Sequence, residues 1–213
     1  YSPMLSLNNA YNKDEVRKFY DKILKLLNKK FYILAETKVD GLSASLRYEN
    51  RKLKTGLTRG DGAKGEDITR NLDYVEGIIK KLPVDFPENL EIRGEIFIKK
   101  NIFQELNKKR KGRGLSLFST PRNAAAGSVR QLDPEVARER QLSFYGYTII
   151  GDKEFFGNSL NKIRDILLKY NFSLNQPSKL CSSFEEMIKF YEKVSNMRNL
   201  LNYDIDGIVY KLD

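Results

Sequence analysis

The chain has 213 residues, 38 Lys and Arg against 28 Asp and Glu for a formal charge of +10, 40% hydrophobic residues, one cysteine and no histidine. This composition suits one soluble globular core. It shows no apolar run long enough to span a bilayer and no signal-peptide pattern. It excludes an internal disulfide, histidine-based triads and Cys/His zinc centres, so any chemistry falls to Lys, Arg, Asp, Glu, Tyr or a bound ion. The positive surplus favours a polyanionic partner such as nucleic acid, although a lysine-rich proteome produces the same surplus. An opening on Tyr1 rather than Met fits a piece of a longer protein.

In chain order, residues 12–29 predict an amphipathic helix. Val16, Phe19, Tyr20, Ile23, Leu24 and Leu27 recur at helical spacing, behind a capping box of Asn12 and Glu15. "FYILAETK" (31–38) reads as a strand, and "LSASLRYENRKLKTGLTR" (42–59) as a hairpin turning near Asn50. "LEIRGEIFIK" (90–99) alternates Leu90, Ile92, Ile96 and Ile98 against Glu91, Arg93, Glu95 and Phe97. Helices are expected from near Asn101, from Thr120-Pro121, and over 159–170 and 183–197; the last two carry core-facing stripes. "YDIDGIVYKL" closes the chain as a strand. Helices and strands mix without regular alternation, which predicts an α+β domain with mostly antiparallel sheets.

The chemistry-bearing residues interrupt these patterns. Alternation puts Glu36, Lys38 and Asp40 on one strand face, about 7 Å apart. A lysine in a partly dry pocket loses basicity and becomes a competent nucleophile. An exposed ladder of salt-linked charges has the same spacing. Gly41 admits a ligand or another backbone. "TRGDGAKGEDIT" (58–69) matches G-x-G-x-x-G, but Glu66 and Asp67 sit where a pyrophosphate would bind, so a dinucleotide fold is rejected. Arg59 remains a candidate phosphate fork.

In "STPRNAAAGSVRQLD" (119–133), Arg122 and Arg130 lie near one helical face, and Ala124 to Gly127 allow close packing. Glu95 suits a ribose hydroxyl or a metal ion. Asp204 and Asp206 share a strand face and suit Mg²⁺, while parity places Lys211 on the other face unless the strand bends near Gly207. "NKKRKGRG" (107–114) suits phosphate contacts or a solvated helix end. A lysine nucleophile, arginines and acids together suggest phosphoryl or nucleotidyl transfer.

"KVDG" (38–41) resembles the K-x-D-G motif of nucleotidyltransferases. "SPMLSLNNAYN", "TRGDGAKGEDIT", "IRGEIF", "TPRNAAAGSVRQLDP" and "DIDGIVYK" complete, in order, a resemblance to the adenylation domain of bacterial NAD-dependent DNA ligase. The resemblance covers essentially all of residues 1–213 and implies a nucleotidyltransferase (ATP-grasp-like) fold. It implies that Lys38 takes AMP from NAD as a phosphoramidate, with Asp40 tuning it, and that AMP then passes to the 5′-phosphate of nicked double-stranded DNA. Ser6, Leu7 and Glu36 match residues beside the adenosine, Arg59 and Glu95 nucleotide contacts, and Tyr147 a ring stacked on adenine.

Lys211 matches a phosphate-contacting lysine, and Asp206 an acid that binds Mg²⁺ or Mn²⁺. Arg122, Arg130 and Arg198 match arginines tied to nicked DNA or later steps. The resemblance further implies a monomeric, cytoplasmic, nucleoid-associated enzyme of replication and repair, off the membrane. The region gripping the nicotinamide half of NAD and the oligonucleotide-binding, zinc, helix–hairpin–helix and C-terminal domains are expected outside these residues. Zinc belongs to them and not to this segment. A non-catalytic nucleic-acid-binding module and an ATP- or GTP-using nucleotidyltransferase are the alternatives.

Overall fold

A computed structural model describes residues 4, 7–60, 64–131 and 138–213. The opening helix α1 (Lys13–Leu27) forms where the sequence signals it. Asn12 Oδ1 accepts from the Glu15 amide at 2.9 Å, and Glu15 accepts from the Tyr11 amide at 2.7 Å, which satisfies donors that a helix start leaves open. Strands β1 (Ile33–Val39), β2 (Leu42–Glu49) and β3 (Lys52–Thr58) follow. The β2–β3 hairpin turns on Asn50 and Arg51, both at positive φ. After a 3-10 turn (Thr69–Tyr74) come β4 (Leu90–Phe97), α2 (Lys100–Gly112) and α3 (Pro121–Val129). Thr120 caps α3 with its hydroxyl, and Pro121 takes the first helical position.

The remaining elements are β5 (Ser143–Ile150), α4 (Lys153–Phe156), α5 (Leu160–Lys169), β6 (Ser178–Cys181), α6 (Phe184–Met197) and β7 (Ile205–Leu212). Ser159 and Ser183 cap α5 and α6. The sequence reading left β5, β6 and α4 without elements. β6 is only four residues long, too short for period-2 alternation to register.

Every strand pair within the two sheets is antiparallel, as expected. One sheet runs β6-β1-β7, the other β3-β2-β4-β5. Each sheet packs one face on its own core. Ile33, Ala35, Val39 and Ile205 join Met187, Phe190 and Val194 of α6 beneath the first sheet. Ala44, Leu46, Ile92 and Ile96 join Ala124, Ala125 and Val129 of α3 beneath the second. The alanines of "RNAAAG" thus serve close packing.

The other faces carry the polar residues. The non-core side of β4 does not face solvent, as an exposed polar strand face would. Glu91 and Arg93 are both buried, and Arg93 Nε donates to Glu91 Oε1 at 2.7 Å. Gly41 joins β1 to β2 beneath β4. A Cβ there would lie 2.3 Å from the Ile96 carbonyl oxygen, so a backbone, not a ligand, requires this glycine.

Candidate active site

Two β-bulges build the site. In the β1–β7 ladder Lys38 pairs with Gly207 and Val39 with Ile205, which leaves Asp206 as a surplus residue. Gly207 takes φ +148°, a conformation that favours glycine. The bulge turns the Asp206 carboxylate onto the Lys38 side, where Lys38 Nζ donates to Oδ2 at 2.8 Å and to Oδ1 at 3.0 Å. In the β4–β5 ladder Arg93 pairs with Thr148 and Gly94 with Gly146, leaving Tyr147 as the surplus residue. The bend near Gly207 is therefore real. Lys211, opposite Leu34, stands on the Lys38 face, and Asp206 joins it there despite the parity that separates them in sequence.

The pairing of Asp204 with Asp206 does not occur. Asp204 Oδ1 lies 3.5 Å from Lys100 Nζ, while Asp206 engages Lys38. Nor is the lysine pocket dry. The Lys38 side chain is 41% exposed and that of Asp206 40%, so the pair sits at an open mouth.

Deeper in, Glu36 is 1% exposed and held from two sides. Lys211 Nζ lies 2.5 Å from Glu36 Oε2 and donates to the Tyr147 carbonyl at 3.0 Å. Arg164 Nη1 donates to Glu36 Oε1 and, at 2.9 Å, to Asn175 Oδ1. The Lys211 ammonium lies 5.4 Å from the Tyr147 ring centroid, within cation–π range. Burial first, then the negative charge of Glu95, pushes the Tyr147 phenol up to about 12; a hydrogen bond to Ser43 and the Arg93 and Arg59 charges act against them.

The same Ser43 Oγ donates to Glu95 Oε2 at 2.9 Å. Burial raises the Glu95 carboxyl from 4.5 to about 7; the Ser43 hydrogen bond and the charges of Lys38 and Arg122 pull it down, and Asp206 pushes it up. Asp40 stands where the chain leaves β1, its amide bonded to the Asp204 carbonyl at 2.9 Å, and its Oδ1 is 3.5 Å from Arg122 Nη1.

The remaining candidates separate. Arg59 directly follows β3, with its amide on the Ser43 carbonyl at 2.9 Å. Arg130 does not continue the Arg122 helix face: α3 stops at Val129, Arg130 caps it, and its Nε lies 2.5 Å from Glu66 Oε2. Arg198 donates to the Ile205 carbonyl at 2.6 Å and so also anchors the start of β7. Leu7 is 57% exposed. Ser6 and residues Asp61, Gly62 and Ala63 lie outside the described residues. The flanks of that loop close on each other, with Thr58 N on the Glu66 carbonyl at 2.9 Å and Glu66 N on Thr58 Oγ1 at 3.0 Å. Among the described residues no α-helix follows these flanks before β4, so the strand–turn–helix of a dinucleotide site is not formed.

A sequence profile described as the NAD-dependent DNA ligase adenylation domain matches residues 1–213. The chain belongs to that family. The adenylation domain is 44% identical over 213 residues to a DNA ligase of Rickettsia bellii (strain OSU 85-389), covering 99% of this chain and 31% of the relative. It is 43% identical over 212 residues to a DNA ligase of Lysinibacillus sphaericus (strain C3-41), covering 99% of this chain and 32% of the relative. The domain therefore spans about a third of the curated relatives it matches.

Two solved structures also align. The ATP-dependent DNA ligase from bacteriophage T7 in complex with ATP does so at 15% identity and TM-score 0.45, over 95% of this chain and 61% of that one. The Pnkp1/Rnl/Hen1 RNA repair complex does so at 14% identity and TM-score 0.47, over 99% and 71%.

The sequence reading of the adenylation domain missed Ser43, Arg164 and Asn175. Arg164 carried a signal: it is the one arginine in the stretch 160–169, at a position its helical stripe turns inward. A buried arginine requires a partner, and only the fold identifies Glu36 as that partner.

Proposed function

We propose that this domain catalyses the opening step of DNA ligation, transfer of AMP from NAD to Lys38. The observation that carries this reading is the bulge that seats Lys38 Nζ against Asp206, with the charges of Lys38, Asp206 and Arg122 all reaching Glu95 and with Lys211 in contact with both Glu36 and Tyr147. Lys38 Nζ attacks the α-phosphorus of NAD. A P–N bond forms, the bond to the departing nicotinamide mononucleotide breaks, and the amine loses a proton at a position held by the Asp206 carboxylate. Tyr147 and Glu36 bind the base, Glu95 the ribose, and Arg59 and Lys211 the phosphate. Transfer of this kind rests on positioning and charge neutralisation, which arginine and lysine provide without histidine.

Among the described residues no three His, Cys, Asp or Glu side chains cluster as a metal cage. Mg²⁺ does not need one, since it is held by one or two carboxylates together with phosphate oxygens and water. The half-exposed Asp206 carboxylate fits that role, and Mg²⁺ there would add charge neutralisation at the phosphate. AMP then passes from Lys38 to the 5′-phosphate of a nick, and the 3′-hydroxyl displaces it. In this reading Arg122 and Arg130, whose side chains are 58% and 46% exposed, contact duplex phosphates.

The test is intact mass after incubation with NAD or with ATP, using the 213-residue chain alone and joined to the N-terminal segment of a full-length relative. A covalent AMP adduct from NAD is expected. An adduct from ATP only refutes NAD as donor; none from either, with DNA binding retained, points to a non-catalytic binding module.

A further inference from the structure

The basic run "NKKRKGRG" (107–114) supplies none of the cleft residues above, yet the fold arranges its arginines around one ring. Asn107 of α2 grips the backbone of Phe118: its Nδ2 donates to the Phe118 carbonyl at 3.0 Å, and its Oδ1 accepts from the Phe118 amide at 2.9 Å. The half-buried Phe118 ring backs onto α3, where a Cβ on Gly127 would lie 3.6 Å from it. Two guanidinium groups converge on that ring. Arg110, from α2, has its Cζ 4.4 Å from the centroid, and Arg140, from the turn before β5, has its Cζ 5.6 Å away. Those two distances cap the separation of the charges at their sum, about one Debye length at 0.1 M salt. The exposed Arg113 stands nearby at the end of α2. The cluster repels itself. Burial lowers the basicity of Arg140, and the charges of Arg110 and Arg113 lower it further, against Glu139 alone. Among the described residues none of the three arginines forms an ion pair with a carboxylate. Like charges gathered in this way work against the compact state and favour an anion.

Resting on the reading above that the domain acts on nicked DNA, we infer that Arg110, Arg113 and Arg140 form a second phosphate-binding patch for duplex DNA, joined through α3 to Arg122 and Arg130. Arginine's planar fork matches phosphate oxygens in pairs. Phe118 packs on α3, which carries Arg122 in its first turn and Arg130 as its C-terminal cap. A chain of regularly spaced phosphates, not a single nucleotide, is the ligand that serves both sets of arginines. Phosphate contacts carry no base information, and phosphates flank a nick as they flank an intact step. The patch therefore acts alike on nicked and intact duplex.

The test measures binding of the 213-residue chain to a nicked duplex, to the same duplex sealed and to heparin, by fluorescence anisotropy at several salt concentrations. A variant carrying Arg110→Gln and Arg113→Gln is compared with one carrying Lys18→Gln and Lys22→Gln, which removes equal charge from the exposed side of α1. Circular dichroism checks folding. The arginine variant is expected to reduce the slope of log affinity against log salt by about two for both duplexes, and the lysine variant to keep the parent's slope. An unchanged slope in the arginine variant, an equal fall in the lysine variant, or a fall confined to heparin overturns the inference. If the double arginine variant does not fold, Arg113→Gln decides alone: a fall of about one supports the patch, and no fall overturns it. A parent chain that binds neither duplex removes the DNA reading of Arg122 and Arg130 together with the patch; a parent that binds both while the arginine variant matches it removes the patch alone.

Discussion

Glu95 is costly to the fold when ionised, and replacing it by glutamine exposes that cost. Burial raises its carboxyl from 4.5 to about 7. The unfolded chain releases this proton near 4.5 and the folded chain near 7, so between those values the folded state holds more protons. Stability then falls as pH rises through that window and levels off above it. The full cost is about 3 kcal/mol. Glutamine cannot ionise, yet it keeps an oxygen to accept from Ser43 Oγ, now at 2.9 Å. Glu95→Gln should therefore differ little from the parent at pH 5 and be more stable by up to about 3 kcal/mol at pH 8, at roughly 2–4 °C of melting temperature per kcal/mol. Urea unfolding at both pH values measures it. A stability difference of equal size at pH 5 and pH 8 would refute the reasoning. Loss of AMP capture in the same variant would make Glu95 a site where stability is given up for function.

Lys38→Ala should abolish the AMP adduct while changing stability by no more than about 1 kcal/mol, because its ion pair is exposed; mass spectrometry and melting curves check the two halves separately. Gly207→Ala meets no neighbouring atom but forces a side chain to φ +148°, so a loss of roughly 1–3 kcal/mol and of adduct formation together is expected from unfolding and mass assays. Arg122→Ala and Arg130→Ala should each weaken nicked-duplex binding and reduce its salt dependence by about one phosphate contact, measured by titration at several salt concentrations. Loss of self-adenylation alone would remove these arginines from the DNA surface.

Two helices were legible from their starts, where Asn12 and Thr120 cap with a side-chain oxygen, and those over 159–170 and 183–197 from their apolar stripes. The β2–β3 hairpin and β4 were legible from period-2 alternation. The motifs singled out Glu36 and Lys211, which the fold brings into contact, and Lys38, which it sets against Asp206. What escaped reading depends on pairing between distant strands. Parity along 204–211 misplaced Asp206 because a register shift leaves no mark in composition, and Asp204 looked like its partner until Lys100 drew it away. Arg164 went unread because its acid lies 128 residues off.

Both bulges have the same grammar. Remove Asp206 and the neighbours Ile205 and Gly207 still pair with Val39 and Lys38; remove Tyr147 and Gly146 and Thr148 still pair with Gly94 and Arg93. Each residue is an insertion into a ladder already complete without it, so the scaffold and its reactive equipment are separable by single deletions. A chain lacking Asp206 would keep Lys211 in register with Leu34, and with it the frame of the pocket. Loss of chemistry without loss of architecture is thus one codon away, a short path from an adenylating domain to a silent nucleotide receptor.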